Sequence, residues 1–432
     1  MRCCLVAILL LLIAALLAGC ESNDAPKISS VPTIVASDSN VGPLLLWHGW
    51  SGGDRQALGR LVEQYNRQQS DGRIVLQSVP LASFAAELRA AVAAGSGPHV
   101  ILIPNTWIGG LADAGVLLPL DDLIPAQETD MLLPVTLAGA QARDADGALR
   151  LYGAPVRFDT LALYYNAANL TVPPTDTATM LVVGRGLSDP EAQPPIWGLA
   201  LNLSHDNMIG YLYAFDGRIF SDEGHVALGT TGRAGAERWL SWLIALQNDP
   251  RILARSESSI LVDREVKDGR AIMTFGWAHQ IGVYRDLWGE QVGVAPLPRL
   301  SETGLAPRPY VRADVLAINH LAGTSERVAA ARFIRFMISE EAQSVLLQSN
   351  MQPASRALAL TGDSLQESVA RIFRAQAEQG IPMSNSSARA FVEQEIKRMQ
   401  RQALLGLTTP ADAVTEADRR LRERFEPSSP TP

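Results

Sequence analysis

Five residues near the start of the globular part of the chain have a spacing typical of covalent catalysis. Gly49-Trp50-Ser51-Gly52-Gly53 fits the pattern G-x-S-x-G, which presents a serine nucleophile on a sharp turn between a strand and a helix. The flanking residues fit that context, because Leu44–Trp47 is an apolar, strand-like run. After Asp54, apolar residues recur at helical spacing on one face, namely Leu58, Leu61, Val62 and Tyr65.

The position of this motif argues against catalysis. It follows the first strand of the predicted fold, whereas α/β-hydrolases reach the motif after several strands and a loop that completes the oxyanion hole. The other residue types of a triad do occur downstream, as Asp206 or Asp314 with His279 or His320. We predict instead a glycine-flanked turn at a helix N-terminus, in which Ser51 caps the helix and free N–H groups face a ligand. A serine hydrolase that uses Ser51 is the alternative.

The N-terminus indicates export. Met1-Arg2 precedes the apolar run Leu5–Leu16, which is short for a membrane span of about 20 residues but suits a signal sequence. The run ends in Leu17-Ala18-Gly19-Cys20, which resembles the lipobox of bacterial lipoproteins, in which the cysteine is acylated. We predict a lipoprotein signal peptide over 1–19, a lipid anchor at Cys20, a flexible tether over 20–43 and a disordered tail over 426–432. An uncleaved signal anchor is the alternative.

Composition excludes several classes of function. Among the 432 residues 47% are hydrophobic, which favours a globular protein with a sizeable core. The net charge is −8 and no basic block occurs, so no nucleic-acid partner is expected. Of the three cysteines, Cys3 and Cys4 lie in the predicted signal, which leaves no disulfide framework or thiolate nucleophile. The six histidines are scattered, and we expect neither a metal nor another cofactor.

The order of elements indicates an α/β fold. Residues 44–125 alternate between strand and helix, which implies a mainly parallel sheet flanked by helices. The alternation resumes after a strand predicted over 160–166, and residues 325–424 are almost wholly helical, with breaks near Pro353 and Pro382.

Five segments in this order resemble the extracellular solute-binding proteins that include the maltose- and oligosaccharide-binding proteins of ABC importers. In chain order, the segments are "LLLWHGWSGGDRQALGRLVEQYNRQQ", "AAELRAAVAAGSGPHVILIPNTWIGGLADAGVLLPLDD", "LYGAPVRFDTLALYYN", "VKDGRAIMTFGWAHQI" and "LAINHLAGTSERVAAARFIRFMISEEAQSVLLQSNMQPASRAL". The resemblance covers about 44–425 and implies two α/β lobes with a ligand cleft between them, and a helical C-terminal region. It places lobe 1 at 44–154 plus 306–357, a hinge at 155–158 (Pro155, Val156, Arg157, Phe158), and lobe 2 at 159–300 plus 360–425. It further implies a monomer, anchored outside the cytoplasm, that delivers a solute to the transmembrane subunits of an ABC permease.

The candidate ligand residues follow from the chemistry of a sugar, because an aromatic face suits its C–H face and polar groups suit its hydroxyls. The sequence positions favour a ligand role for Trp50, a place in the core for Trp47, and packing roles for Trp239 and Trp242. For Trp107 and Trp277, core packing and ligand contact are equally supported, although the resemblance gives Trp277 a stacking role. The polar candidates are Ser51, Asn105, Thr106, Asp159, Asp206 and Asn207.

Alternatives remain open for several of these residues and for the solute. Asp206 and Asn207 suit helix capping as well as binding, Arg157 suits a hinge or an acidic solute, and Arg312 and Asp314 suit an ion pair with each other.

The segment "SNSSARAFVEQEIKRM" carries Phe391 as its only aromatic residue, where several members of the family carry an aromatic on the helix. We therefore predict a mono- or short oligosaccharide. A non-sugar solute such as a glycerophosphodiester, or a receptor used for signalling, is the alternative.

Overall fold

The computed structural model describes residues 41–221, 224–255, 259–385 and 388–426. The predicted signal peptide, Cys20, nearly all of the tether and residues 427–432 of the tail lie outside these residues. Among the described residues, no helix has both the length and the apolar character needed to cross a membrane.

The described chain alternates short strands and helices. The strands are β1 Leu44–His48, β2 Ile74–Ser78, β3 Val100–Pro104, β4 Leu117–Leu118, β5 Gln141–Arg143, β6 Leu149–Leu151, β7 Ala154–Asp159, β8 Leu161–Asn166, β9 Trp197–Asn202, β10 Leu253–Arg255, β11 Ala271–Trp277, β12 Val292–Ala295, β13 Tyr310–Asn319, β14 Gln352–Pro353 and β15 Ile381–Pro382. The helices are α1 Gly52–Arg67, α2 Leu81–Ala93, α3 Ile108–Asp113, α4 Ala126–Thr129, α5 Pro134–Ala138, α6 Thr177–Leu187, α7 His205–Ala214, α8 Arg233–Asn248, α9 Ser259–Lys267, α10 Ile281–Trp288, α11 Thr324–Ile338, α12 Glu340–Gln348, α13 Leu365–Gln379, α14 Arg389–Leu404 and α15 Pro410–Phe425.

The first sheet has the strand order β14-β7-β13-β3-β1-β2, with β4 and β15 also paired to β13. Strand β1 pairs in parallel with β2 and β3, as the strand–helix alternation predicts. Strand β13, however, runs antiparallel to β3 and β7. The sheet is therefore mixed rather than mainly parallel, because β13 comes from a distant part of the chain and no helix connects it to β3 as a parallel crossover would.

The second sheet has the order β10-β9-β11-β8-β12 and is also mixed. Strand β9 pairs in parallel with β10 and β11, whereas β8 pairs antiparallel with β11 and β12. Its apolar residues pack against α7, α8, α14 and α15 in a core separate from that of the first sheet. Two sheets with separate apolar clusters make two lobes, which we call the first and second lobe after their sheets.

The first passage of the chain between the lobes occurs at Thr160. The predicted hinge residues 155–158 lie inside β7, paired with β13 in the first sheet, and β8 of the second sheet begins at Leu161. Thr160 is fully buried, and its hydroxyl donates to the carbonyl of Tyr310 at 2.9 Å. The structure thus places the crossing beyond the predicted segment, because β-ladder hydrogen bonds hold the preceding residues in the first lobe.

Residues 381–385 also differ from the predicted lobe boundaries. They were predicted in the second lobe, but β15 pairs with β13, and the N–H of Met383 donates to the carbonyl of Val311. The Asn385 amide donates to the carbonyls of Gly139 and Gln141 in the first lobe. The chain therefore returns briefly to the first sheet before α14 and α15 complete the second lobe.

Candidate functional site

A cavity of about 940 Å³ lies between the two lobes. Its volume is near the upper end of the range for ligand pockets, about 300–1,000 Å³. The first lobe contributes the start of α1, the end of β3 and the strands β7 and β13. The second lobe contributes the turn after β11, the start of α7 and the helix α14. The lining residues with polar or charged side chains include Asp54, Asn105, Thr106, Arg157, Asp159, Asp206, His279, Arg312, Asp314, Glu393 and Lys397.

Two ion pairs cross the ladder between β7 and β13 and line the cavity. The register sets Arg312 opposite Asp159 and Asp314 opposite Arg157. Arg312 Nη2 lies 2.9 Å from Asp159 Oδ2, and Arg157 Nε lies 2.7 Å from Asp314 Oδ2. The expectation that Arg312 and Asp314 pair with each other is therefore wrong. Side chains two residues apart share one face of a strand, and each is nearer to its partner on the facing strand.

Arg157 joins three parts of the first lobe. Besides Asp314, it donates from Nη1 to Asp54 Oδ2 at 2.5 Å, and its guanidinium lies 4.3 Å from the centre of the Trp50 ring. Trp50 Nε1 in turn donates to Asp314 Oδ2 at 2.7 Å. Burial acts to lower the pKa of Arg157, but the charges of Asp314 and Asp54 outweigh burial and raise it. The arginine is thus a fixed cation in the wall of the cavity.

Asp159 is bound from both lobes. It pairs with Arg312 of the first lobe, and it accepts hydrogen bonds from the backbone N–H of His279 at 3.3 Å and from Nδ1 of His279 at 2.8 Å. Burial acts to raise the pKa of Asp159, but the hydrogen bonds and charge of His279, together with Arg312, bring it below its usual value. An ionised carboxylate therefore links the first lobe to the turn after β11.

A second group of charges comes from α14 and α7. Lys397 Nζ lies 3.7 Å from Asp206 Oδ1 and 4.0 Å from Glu393 Oε2. With this group, the cavity is lined by five carboxylates (Asp54, Asp159, Asp206, Asp314, Glu393) and three permanent cations (Arg157, Arg312, Lys397). The lining side chains therefore have a net negative charge, which disfavours a solute with a negative charge.

Thr106 and Asn105 both lie at the cavity, but the Asn105 side chain is bonded to the backbone of the first lobe. Thr106 lines the cavity, as does Asn105, but the Asn105 side chain is only 1% exposed. Asn105 Oδ1 accepts from the N–H of Ala313, and its Nδ2 donates to the carbonyls of Gly139 and Met383. The Asn105 amide is thus engaged in joining three segments of the first lobe.

Ser51 lies on the exposed turn between β1 and α1. It occupies the N-cap position of α1, but its side chain makes no capping hydrogen bond. Its hydroxyl bonds to no described residue, and it is not among the residues that line the cavity. The next residue, Gly52, has φ 53°, in the left-handed region that favours glycine. The G-x-S-x-G spacing is therefore that of a tight turn, without the serine–histidine hydrogen bond of an activated nucleophile.

The predicted aromatic residues lie outside the lining of the main cavity. Trp50 is 6% exposed and lies behind Arg157. Trp107 packs against Phe84 at 5.8 Å, and Trp47 meets the same ring at 6.1 Å. Among the lining residues that the structure describes, Phe158 is the only Phe, Tyr or Trp. The main cavity is therefore lined by charged groups rather than by aromatic faces.

The packing roles predicted for Trp239 and Trp242 agree with their positions. Trp239 is fully buried, and Trp242 lies 4.9 Å from Tyr211 in the core of the second lobe. Phe391 lies 6.3 Å from Phe425 and does not line the cavity.

Trp277 and Asn207 line a smaller chamber of about 250 Å³ in the second lobe. Trp277 Nε1 donates to Asn207 Oδ1 at 3.0 Å, and both residues are at most 8% exposed. Arg312 and His279 line both the chamber and the main cavity. The chamber is therefore a neighbour of the main cavity, separated from it by these two side chains.

Four residues of the site were not predicted as ligand residues, although His279 was named for the alternative catalytic triad. His279, Asp54, Glu393 and Lys397 line the cavity. The position of His279, two residues after Trp277 in a turn that follows a strand, is the signal that could have found it. In the described part of the chain, no group of three His, Cys, Asp or Glu side chains is placed to hold a metal ion.

Comparison with known proteins supports the two-lobed fold. A maltotriose-binding protein of Pyrococcus abyssi (strain GE5 / Orsay) is 27% identical over 297 residues, which are 68% of this chain and 62% of that relative. The match thus spans less than two thirds of the relative's length.

Two solved structures share the architecture. A cyclo/maltodextrin-binding protein complexed with maltotetraose superposes with a TM-score of 0.75 at 19% identity, covering 90% of this chain and 99% of that one. The Thermus thermophilus maltotriose binding protein bound with maltotriose gives 0.70 at 18% identity, covering 88% and 100%. The predicted two-lobed α/β fold is thereby confirmed.

The family follows from the sequence itself. Residues 60–370 match the family model described as bacterial extracellular solute-binding protein, and this span takes in the second sheet, most strands of the first sheet and most of the cavity wall. The chain therefore belongs to the family of bacterial extracellular solute-binding proteins.

Proposed function

We propose that this protein is a receptor that binds a mono- or short oligosaccharide between its lobes and delivers it to the permease subunits of an ABC importer. Membership of a solute-binding family supports a receptor rather than an enzyme. The maltotriose-binding name of the Pyrococcus relative and the maltodextrin-binding names of the structural neighbours support a carbohydrate.

The observation that carries the proposal is the polar cavity with walls from both lobes. Asp54 and Asp159 face it from the first lobe, and Asp206, His279 and Lys397 from the second. These side chains offer both hydrogen-bond donors and acceptors, as the hydroxyl groups of a sugar require. A solute that contacts both lobes favours the closed state by its additional contacts there.

The charge of the cavity distinguishes a sugar from the alternative solute. Five carboxylates against three permanent cations oppose the phosphate of a glycerophosphodiester. A neutral sugar avoids this repulsion and still uses the charged groups for strong hydrogen bonds. We therefore place a neutral carbohydrate ahead of a phosphodiester.

The remaining features of the proposal follow from the sequence and the family. A lipid anchor at Cys20 and a tether over 20–43 would hold a monomeric receptor at the outer face of the membrane. From there it would deliver its solute to the permease, or present it to a sensor protein if the receptor serves signalling.

A thermal-shift series on the full chain in mild detergent tests the ligand class. Maltose, maltotriose, maltotetraose and glycerophosphocholine serve as probes, with dissociation constants measured by calorimetry. A sugar that binds only the folded protein adds about 2.7 kcal/mol of stability at 100 times its dissociation constant. A shift with glycerophosphocholine and none with the sugars would overturn the carbohydrate assignment and favour the phosphodiester.

A pair of tryptophan substitutions tests the location of the site. Trp277→Ala should weaken the binding of a sugar that reaches the chamber about two- to twelvefold, because an aromatic contact contributes roughly 0.5–1.5 kcal/mol. Trp107→Ala is the matched control, since Trp107 packs against Phe84 and lines neither the cavity nor the chamber. Equal dissociation constants for Trp277→Ala and the wild type would remove Trp277 from the site.

A further inference from the structure

Arg312 covers the face of Trp277. The guanidinium carbon lies 3.7 Å from the centre of the Trp277 ring, within the range of a cation–π contact. Asp159 holds Arg312 by a 2.9 Å ion pair, and Asp159 is itself held by His279. The arginine therefore occupies the surface that a planar or ring-shaped guest would use.

The same side chain stands between two spaces. Arg312 and His279 line both the main cavity and the smaller chamber of about 250 Å³, whereas Trp277 lines the chamber only. A side chain that lines two adjacent spaces forms part of the wall between them. Moving Arg312 would join the chamber to the main cavity and expose the Trp277 ring.

The wall of the chamber contains polar groups that are available for hydrogen bonds to a guest. The Nδ2 of Asn207 and the hydroxyl of Tyr284 make no hydrogen bond with a described residue, and both side chains line the chamber. An amide N–H donates and a hydroxyl group both donates and accepts, so these two groups suit a hydroxylated guest. A cavity of about 150 Å³ accepts benzene, so the larger chamber has room for a six-membered ring that carries hydroxyl groups.

We propose that Arg312 is a specificity-determining residue that closes the passage from the main cavity into this chamber. Its guanidinium takes the place of a sugar ring on Trp277, and a ligand bound in the main cavity reaches the chamber only by displacing it. This inference rests on the proposed carbohydrate-binding function. Loss of the cation–π contact on displacement lowers the affinity for a sugar that enters the chamber by roughly two- to thirty-fold.

Acrylamide quenching of tryptophan fluorescence on the full chain in detergent tests the closure without a ligand. Arg312→Ala should raise the quenching constant, because Trp277 becomes accessible, and the rise should disappear when Trp277→Phe is added. Arg308→Ala is the matched control, since Arg308 also lies over an aromatic ring, that of Tyr213 at 5.9 Å, and lines neither space. If Arg312→Ala proves unstable, Arg312→Lys keeps the charge, loses the planar group and should give a smaller rise. An unchanged quenching constant in a folded variant, or a rise that persists with Trp277→Phe, would refute the closure.

Calorimetry with maltose, maltotriose and maltotetraose tests the specificity. Arg312→Ala should bind the sugars that reach the chamber roughly two- to thirty-fold more tightly than the wild type, with Arg308→Ala unchanged. Weaker binding of every sugar would overturn the inference, because it would make Arg312 a contact for the ligand rather than an obstacle to it. If no sugar binds any variant while the quenching constant rises, the carbohydrate function and this specificity fail together, and the closure of the chamber stands.

Discussion

Replacing Arg157 by methionine should destabilise the first lobe, because this side chain holds two carboxylates and an aromatic ring together. Its bond to Asp314, which is 20% exposed, is charge-assisted, and such bonds contribute about 1.5–3 kcal/mol. The pair with Asp54, which is 39% exposed, is screened by water and contributes about 0–1 kcal/mol. Together these contacts predict a loss of about 1.5–4 kcal/mol in the free energy of unfolding.

Urea unfolding, followed by tryptophan fluorescence and circular dichroism, measures this loss from the midpoint and slope of the transition. Arg67→Met is the matched control, since Arg67 pairs with Glu63 on the exposed face of α1, where a loss of about 0–0.5 kcal/mol is expected. Adding Asp314→Asn to Arg157→Met should recover about 1 kcal/mol, because the second change removes the carboxylate left without its cation. An Arg157→Met variant as stable as Arg67→Met would refute the assignment of Arg157 as the central link of the cavity wall.

Two further substitutions separate stability from binding. Asn105→Ala should cost about 2–4 kcal/mol in urea unfolding, because three backbone groups lose their side-chain partner; an equally stable variant with weaker sugar binding would return Asn105 to the set of ligand residues. Asp159→Asn should cost about 1–3 kcal/mol at pH 7, because the ionised carboxylate holds Arg312 and His279. Since folding lowers the pKa of Asp159, this stabilisation is complete above the unfolded value of about 3.9 and disappears as the pH falls through the folded value. A difference between wild type and Asp159→Asn that stays constant from pH 7 to pH 2 would contradict the charge on Asp159.

The elements of the fold were largely predictable because they depend on local patterns. The apolar runs of β1 and β3 and the helical spacing of Leu58, Leu61 and Val62 each fit one kind of element. Proline and glycine mark the breaks near Pro353 and Pro382, where the structure has the two short strands β14 and β15. The apolar periodicity within about a dozen residues thus predicts the type of each of these elements, and the structure has the same elements at these positions.

The site was predictable only in part, because its geometry depends on pairing between distant strands. Nothing local indicates that Arg312 faces Asp159 across a strand pair, so Arg312 was paired with Asp314 instead. The aromatic candidates illustrate the same limit. Trp50 lies in a turn, as predicted, yet the fold places Arg157 over its ring. A residue type at the end of a strand predicts proximity to the cleft, but neighbours from elsewhere in the chain decide what it contacts.

The position of β13 in the first sheet bears on the order in which the two lobes form during synthesis. This strand lies between β3 and β7, but it begins at Tyr310, whereas β3 ends at Pro104. At about 5–20 residues per second, roughly 200 further residues take about ten to forty seconds to synthesise. The five strands of the second sheet, in contrast, are all complete by Ala295. The second sheet is therefore expected to form before the first sheet is complete, and β3 stays without its antiparallel partner until β13 has been synthesised.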